Sequence, residues 1–167
     1  GRYVYRPAQP IQVHTLAAAR SEAQQFANRL GLRVDEVMQF QRNFYAKLVD
    51  AGGSAASEVL VDPSSGVVSL EYGPAMMWNT RFGMMRASGT GGTGGPVDST
   101  KARGIATSWL AANRPGTTVR GIDAYPGYFT IDLQRNGVLS GMMSVSSSTG
   151  AAWYHTWHGA FIAMEDS

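Results

Sequence analysis

The chain has 167 residues, 44% of them hydrophobic and 16% charged, with a net charge of +2 and a pI near 9.1. That is room for one ordinary domain or two small ones around a buried core, and the mild charge excess, spread without a Lys/Arg run, argues against a nucleic-acid surface. Cysteine is absent, which excludes a disulfide framework, thiolate metal sites and cysteine nucleophiles, and no apolar run reaches the roughly 18 residues of a membrane span.

The chain opens at Gly1 without Met, which fits a mature form after signal removal or a segment whose anchor lies upstream. Residues 1–14, with Tyr3, Tyr5, Pro7 and Pro10, read as an extended arm with little order of its own. A helix is expected from about Thr15, as N-cap, to Leu30. Its Leu16, Ala19, Ala23, Phe26, Ala27 and Leu30 form one apolar face, and Gly31 fits the position just past its end. Val34 to Val49 is strand-like but irregular. Glu58 to Val61 and Val67 to Tyr72 are short strands joined by the Asp62-Pro63-Ser64-Ser65-Gly66 turn. Residues 87–96, mostly Gly, Thr and Ser, are a linker rather than a phosphate loop, since no Lys-Ser/Thr follows. A second helix, capped by Asp98 or Ser99, runs to Asn113 and buries Ala102, Ile105, Ala106, Trp109 and Leu110. Thr117 to Asp123 is a connecting strand that leads into Tyr125 to Gly159, which reads as three short strands joined by tight turns at Asn136-Gly137 and Ser148-Thr149-Gly150.

The two halves agree when the chain is slid by 83 to 84 positions. Ala19, Arg20, Ala23 and Phe26 fall on Ala102, Arg103, Ala106 and Trp109. Phe44-Tyr45 falls on Tyr128-Phe129, and Val61 on Val145. The expected fold is α+β: two repeated units, 15–86 and 97–167, each one helix packed on a small antiparallel β-meander. Such a unit is marginal alone, so the two are expected to pack together.

The segments VDSTKARGIATSWLAANRPGTTV, SVSSSTGAAW and, in the first half, VLVDPSSGVV resemble the helix, first strand and closing strand-turn-strand of the PepSY domain family. The second half is the closer match, and the aromatic and Met-rich tails after each closing strand depart from the pattern. The resemblance implies a non-catalytic, extracytoplasmic module, secreted or membrane-associated, that docks on a protein or peptide partner as an accessory subunit. It supplies no catalytic residues and no cofactor.

Those tails hold the candidate site residues. Met76, Met77, Trp78 and Phe82 in the first, with Trp153, Tyr154 and Trp157 in the second, read as a partner-binding surface, since Trp, Tyr and Met are enriched at recognition sites. Both tails leave their units at the same point, so they are expected to lie near one another. The alternative is a copper (or other metal) site with His155 and His158 as imidazole ligands and Met142 and Met143 as thioethers, with Met84 and Met85 as further sulfurs. Plain packing is the third reading. Arg81, Arg86, Arg103 and Arg135 read as solvated surface. No G-x-S-x-G elbow, H-E-x-x-H or marked carboxylate pair supports an enzyme.

Overall fold

A computed structural model describes residues 3–84 and 95–165, as an α+β fold with three helices and two antiparallel sheets among them. The first helix, α1, spans Leu16–Asn28, and its N-cap is Thr15, whose hydroxyl accepts from the Ala18 N–H at 3.1 Å. The strands β1 (Val4–Tyr5), β2 (Arg33–Phe40), β3 (Phe44–Val49), β4 (Ala55–Val61) and β5 (Val68–Leu70) follow around it, and α2 is the single turn Pro74–Met77. The long helix α3, Ser99–Asn113, is capped by Asp98, which accepts from the Lys101 N–H at 2.8 Å. After it come β6 (Thr118–Tyr125), β7 (Tyr128–Arg135), β8 (Val138–Ser146), β9 (Ala152–Tyr154) and β10 (Phe161–Glu165). None of the helices is long and apolar enough to cross a membrane.

The first sheet has the order β1-β5-β4-β3-β2-β10 and the second β6-β7-β8-β9. Side chains alternate across a strand, and that alternation sets the layers. Phe44, Ala46 and Leu48 on β3 and Val59 and Val61 on β4 pack under Ala19, Ala23, Phe26 and Ala27 of α1. Phe129, Ile131, Leu133, Met143 and Val145 pack under Ala102, Ala106 and Leu110 of α3. The opposite faces meet each other: Met38, Phe40, Tyr45 and Leu60 of the first sheet pack on Leu139 and Met142 of the second. The layers therefore run helix, sheet, sheet, helix.

Three expectations are corrected. The arm is not loose: Val4 and Tyr5 pair with Ser69 and Val68, Tyr3 and Tyr5 pack on the α1 core, and the Arg29 guanidinium sits 5.1 Å over the Tyr5 ring. The offset that lays Phe44 on Tyr128 is one residue out, because Phe44 faces α1 whereas Tyr128 faces the other sheet. The helix-facing counterpart of Phe44 is Phe129, and a slip of one residue exchanges every inside for an outside position. Finally, the chain's last strand does not stay with the second half but pairs with β2, Phe161 opposite Phe40 and Glu165 opposite Val37.

Two turns show why particular residues stand where they do. Asn136-Gly137 joins β7 to β8 with φ of 52° and 77°, the two positive values a type I′ hairpin demands. Pro126-Gly127 joins β6 to β7. There Gly127 has φ of 92°, and a Cβ on it would come within 2.2 Å of the Trp78 carbonyl oxygen, so the hairpin tip is wedged against the segment after α2.

Candidate functional site

The seam between the sheets is polar at its centre. Glu58 of β4 is fully buried there. It accepts hydrogen bonds from the Tyr45 hydroxyl at 2.5 Å, the Tyr128 hydroxyl at 2.8 Å and the Thr130 hydroxyl at 2.7 Å. Tyr45 belongs to its own sheet and the other two to the opposite sheet, so one carboxyl draws both together. The Thr130 hydroxyl also meets Ser144 Oγ at 2.9 Å, and Ser144 Oγ meets His155 Nε2 at 2.8 Å.

His155 follows β9 and lies beside Glu71, which follows β5. Its Nδ1 is 3.5 Å from Glu71 Oε2. His158 approaches the same oxygen with Nε2 at 2.8 Å but does not line up as a hydrogen bond. Its Nδ1 meets Asn43 Oδ1 at 2.9 Å, in the turn between β2 and β3, while Asn43 Nδ2 donates to the Trp157 carbonyl at 2.9 Å. The Trp157 indole N–H donates to Glu71 Oε2 at 3.1 Å. Glu71, His155 and His158 are each at most 3% exposed. Phe40 stacks on the His158 ring at 4.3 Å and Trp157 on the His155 ring at 4.7 Å.

Burial acts differently on the two glutamates. It pushes the Glu58 carboxyl up to about 8, the Glu71 charge adding to the effect against the pull of His155 and the hydroxyl donors. At Glu71 burial works in the same direction but is outweighed by the two histidines, His155 foremost, and the carboxyl is drawn down to about 2. His155 is raised, because its burial is outweighed by the neighbouring Glu71 charge. Burial, then the Glu58 charge, keeps the hydroxyls of Tyr45, Tyr125 and Tyr128 protonated far above their ordinary range.

At the rim of the seam Asp132 is only partly buried, yet it rises from 3.8 to about 7 through desolvation and the charges of Glu36 and Asp123, against Lys47 and Arg120. Lys47 is itself shared between Asp35 at 3.7 Å and Asp123 at 3.2 Å. A carboxyl raised in the folded state holds its proton more tightly there than in the unfolded chain. Its contribution is full below about pH 4 and is lost as pH rises through about 7. The shift is worth up to about 4 kcal/mol, and partial exposure discounts it to about 2. Denaturant unfolding as a function of pH should show wild type falling by about 2 kcal/mol relative to Asp132→Asn between these limits. Parallel profiles would rule this out.

The structure brings both tails together. Trp78 meets Trp153 edge to face at 5.3 Å, and Gly73 lies beneath the Trp153 ring, where a Cβ would come within 2.8 Å of it. Most of the predicted partner-binding residues are turned inward. Met76 and Phe82 pack on the α1 core, Tyr154 stacks on Trp109 at 5.5 Å with Arg114 over its other face, and Trp157 joins the seam. Met77 and Met84 remain about half exposed, and Met85 and Arg86 lie outside the described residues. Of the proposed metal ligands, His155 and His158 are neighbours, with ring centroids 5.8 Å apart. Met142 lines the same seam, whereas Met143 lies on the other face of β8, in the core under α3.

Sequence reasoning did not single out Glu71, Asn43 or Ser144 beside these histidines. The only local signal was a carboxylate set against an apolar strand pattern, Glu58 in the middle of AASEVLV and Glu71 just after VVSL.

Beyond the buried seam a pocket of about 360 Å³ opens beside β4 and β5, lined by Arg6, Arg42, Asn43, Leu60, Ser69 and Tyr72. Neither arginine makes an ion pair among the described residues. Asp62, also on its wall, is occupied by the hydroxyls of Ser64 and Ser65, and those hydrogen bonds hold it below the usual carboxylate range. Comparison with family models, curated proteins and solved structures returned no match.

Proposed function

We propose that the chain is a non-catalytic, extracytoplasmic binding or accessory module of the PepSY-like kind, made of two helix-on-meander units, and that it docks on an acidic segment of a protein or peptide partner. The unit reading is supported by the order of elements: α1 with β2 to β5, then α3 with β6 to β9. Each helix covers one face of its own meander.

One observation carries the docking reading. The groups that could do chemistry, Glu58, Glu71, His155 and His158, are sealed in the seam, while the accessible concavity presents Arg6, Arg42 and the half-exposed Tyr72 ring. A guanidinium pair beside an aromatic face suits a carboxylate-bearing chain through bidentate hydrogen bonds. Tyr72 meets Trp157 edge to face at 5.8 Å, which holds the ring in place.

Fluorescence anisotropy with a labelled oligoglutamate peptide tests this. Binding should weaken with salt, and the Arg6→Glu/Arg42→Glu double variant should lose at least about tenfold in affinity, or about 1.4 kcal/mol. An oligolysine peptide should not bind. No binding, or binding indifferent to the double variant, would remove the pocket from the proposal.

A further inference from the structure

We propose that Glu71, His155 and His158 bind one divalent transition-metal ion of the zinc class, and that this ion cross-links the two halves of the chain. The site goes beyond the docking function and rests on separate observations.

The three residues each offer one ligand atom, and these atoms all lie within 4.8 Å of one another. The ring nitrogens His155 Nδ1 and His158 Nε2 converge on the Glu71 carboxylate without forming a hydrogen bond, and Glu71 Oε1 has no hydrogen-bond partner either, all three atoms being buried. Buried polar atoms are almost always paired, so three orphans on these three residues call for an explanation. The separations of 2.8 Å and 3.5 Å between the ring nitrogens and the Glu71 carboxylate suit ligands around a common ion. Zinc–ligand bonds of about 2.0–2.2 Å put neighbouring ligand atoms about 3.3–3.6 Å apart at the tetrahedral angle and about 2.8–3.1 Å apart at a right angle, so the His155 separation fits the first and the His158 separation the second.

The opposite ring nitrogens support the same assignment. His155 Nε2 is held by Ser144 Oγ at 2.8 Å and His158 Nδ1 by Asn43 Oδ1 at 2.9 Å. Asn43 Oδ1 can only accept, so Nδ1 of His158 carries a proton and Nε2, the nitrogen that faces Glu71, is the one available as a metal ligand. Metal-bound histidines are oriented in this way by a partner at the far nitrogen. The Trp157 indole N–H likewise holds Glu71 Oε2 and fixes the carboxylate against the two imidazoles.

Two imidazoles and one carboxylate form a borderline donor set. It favours zinc or a neighbouring divalent ion over calcium or magnesium, which prefer all-oxygen shells, and over copper(I), which prefers sulfur. The expected copper set of two histidines with Met142 and Met143 is thus replaced by one in which Glu71 takes the place of the thioethers. Glu71 comes from the first half and both histidines from the second, so binding fastens one half to the other.

The test uses the full chain, stripped with chelator and titrated with Zn2+, with bound metal measured by elemental analysis. Zinc should bind at one equivalent and raise Tm in a concentration-dependent way, and Co2+ should give a visible absorption spectrum of nitrogen and oxygen ligation. His158→Gln and Glu71→Gln should abolish uptake, whereas Asn43→Ala and Ser144→Ala should weaken it about 10–100-fold. If the ligand variants do not fold, the Co2+ spectrum and stoichiometry of the wild type decide. No uptake at saturating zinc, uptake unchanged in folded His158→Gln, or tighter Cu+ binding that depends on Met142 would each overturn the assignment. Peptide docking is read in a separate assay, so the two proposals fail independently.

Discussion

Replacing Glu58 by alanine is expected to cost about 4 kcal/mol of unfolding free energy. The carboxyl is fully buried and accepts from Tyr45, Tyr128 and Thr130, and alanine leaves all three hydroxyls facing an empty space. A buried polar group that loses its partner costs about 1–3 kcal/mol. The hydroxyls can partly compensate, Thr130 through Ser144 and Tyr45 through Tyr125, which brings the sum to about 4. Glu58→Gln retains a carbonyl acceptor and should cost about 1 kcal/mol.

The pH dependence supplies a second check. The Glu58 carboxyl is raised to about 8, so its neutral form is the stable one in the fold and its contribution fades as pH climbs from about 4.5 through 8. The gap between wild type and Glu58→Gln should therefore close and then reverse as pH rises toward about 8. Guanidinium unfolding of the three proteins measures both effects. If Glu58→Ala lies within about 1 kcal/mol of wild type, the hydroxyl cluster does not hold the sheets together.

Trp157→Ala should cost about 3 kcal/mol, the lower end for deleting a large aromatic, since part of the ring faces solvent. The loss has three sources. The ring stacks on His155 and meets Tyr72 and His158, its indole N–H holds Glu71 Oε2, and its bulk closes the seam beside Phe40 and Phe161. Trp157→Phe, which keeps the ring but removes the N–H, should cost about 1 kcal/mol. A different outcome, unchanged stability with lost oligoglutamate binding, would make Trp157 part of the docking face rather than of the seam. Thermal and guanidinium unfolding beside the anisotropy titration separate the two.

Local signals in the sequence carried the helices well. Thr15 and Asp98 cap as their side chains dictate, and the apolar faces of α1 and α3 are the faces buried. Asn136-Gly137 makes the hairpin its composition announces. The pairings that shape the site are non-local. Nothing near Glu71 in sequence announces that residues 155 and 158 will close on it, because a strand-end carboxylate looks alike whether it ends in water or against an imidazole. The connecting strand expected over Thr117 to Asp123 is β6, which pairs along its length with β7, and the irregular stretch Val34 to Val49 resolves into two strands, β2 and β3. The alternation in β2 is broken by a bulge between Val34 and Glu36, which blurs its period-two signal. Aromatic tails read as surface because composition reports what side chains can contact and not whether the contact lies within the chain.

The path of β10 has a consequence for how the chain is made. The first sheet borders β2 with a strand drawn from the far end of the sequence, and Glu165 on that strand forms a 2.6 Å ion pair with Arg20 of α1, 145 positions earlier. A ribosome releases the first half well before this strand exists, at about 5–20 residues per second. During that interval β2 is an open edge with unpaired backbone groups, the kind of surface on which nascent chains associate. Long-range closure of this sort also slows folding, since the loop must be closed before the pairing rewards it. Final protection of the β2 amides against hydrogen exchange should therefore be acquired last, with the docking of the C-terminal strand, and a chain ending at Gly159 should aggregate faster than the full one.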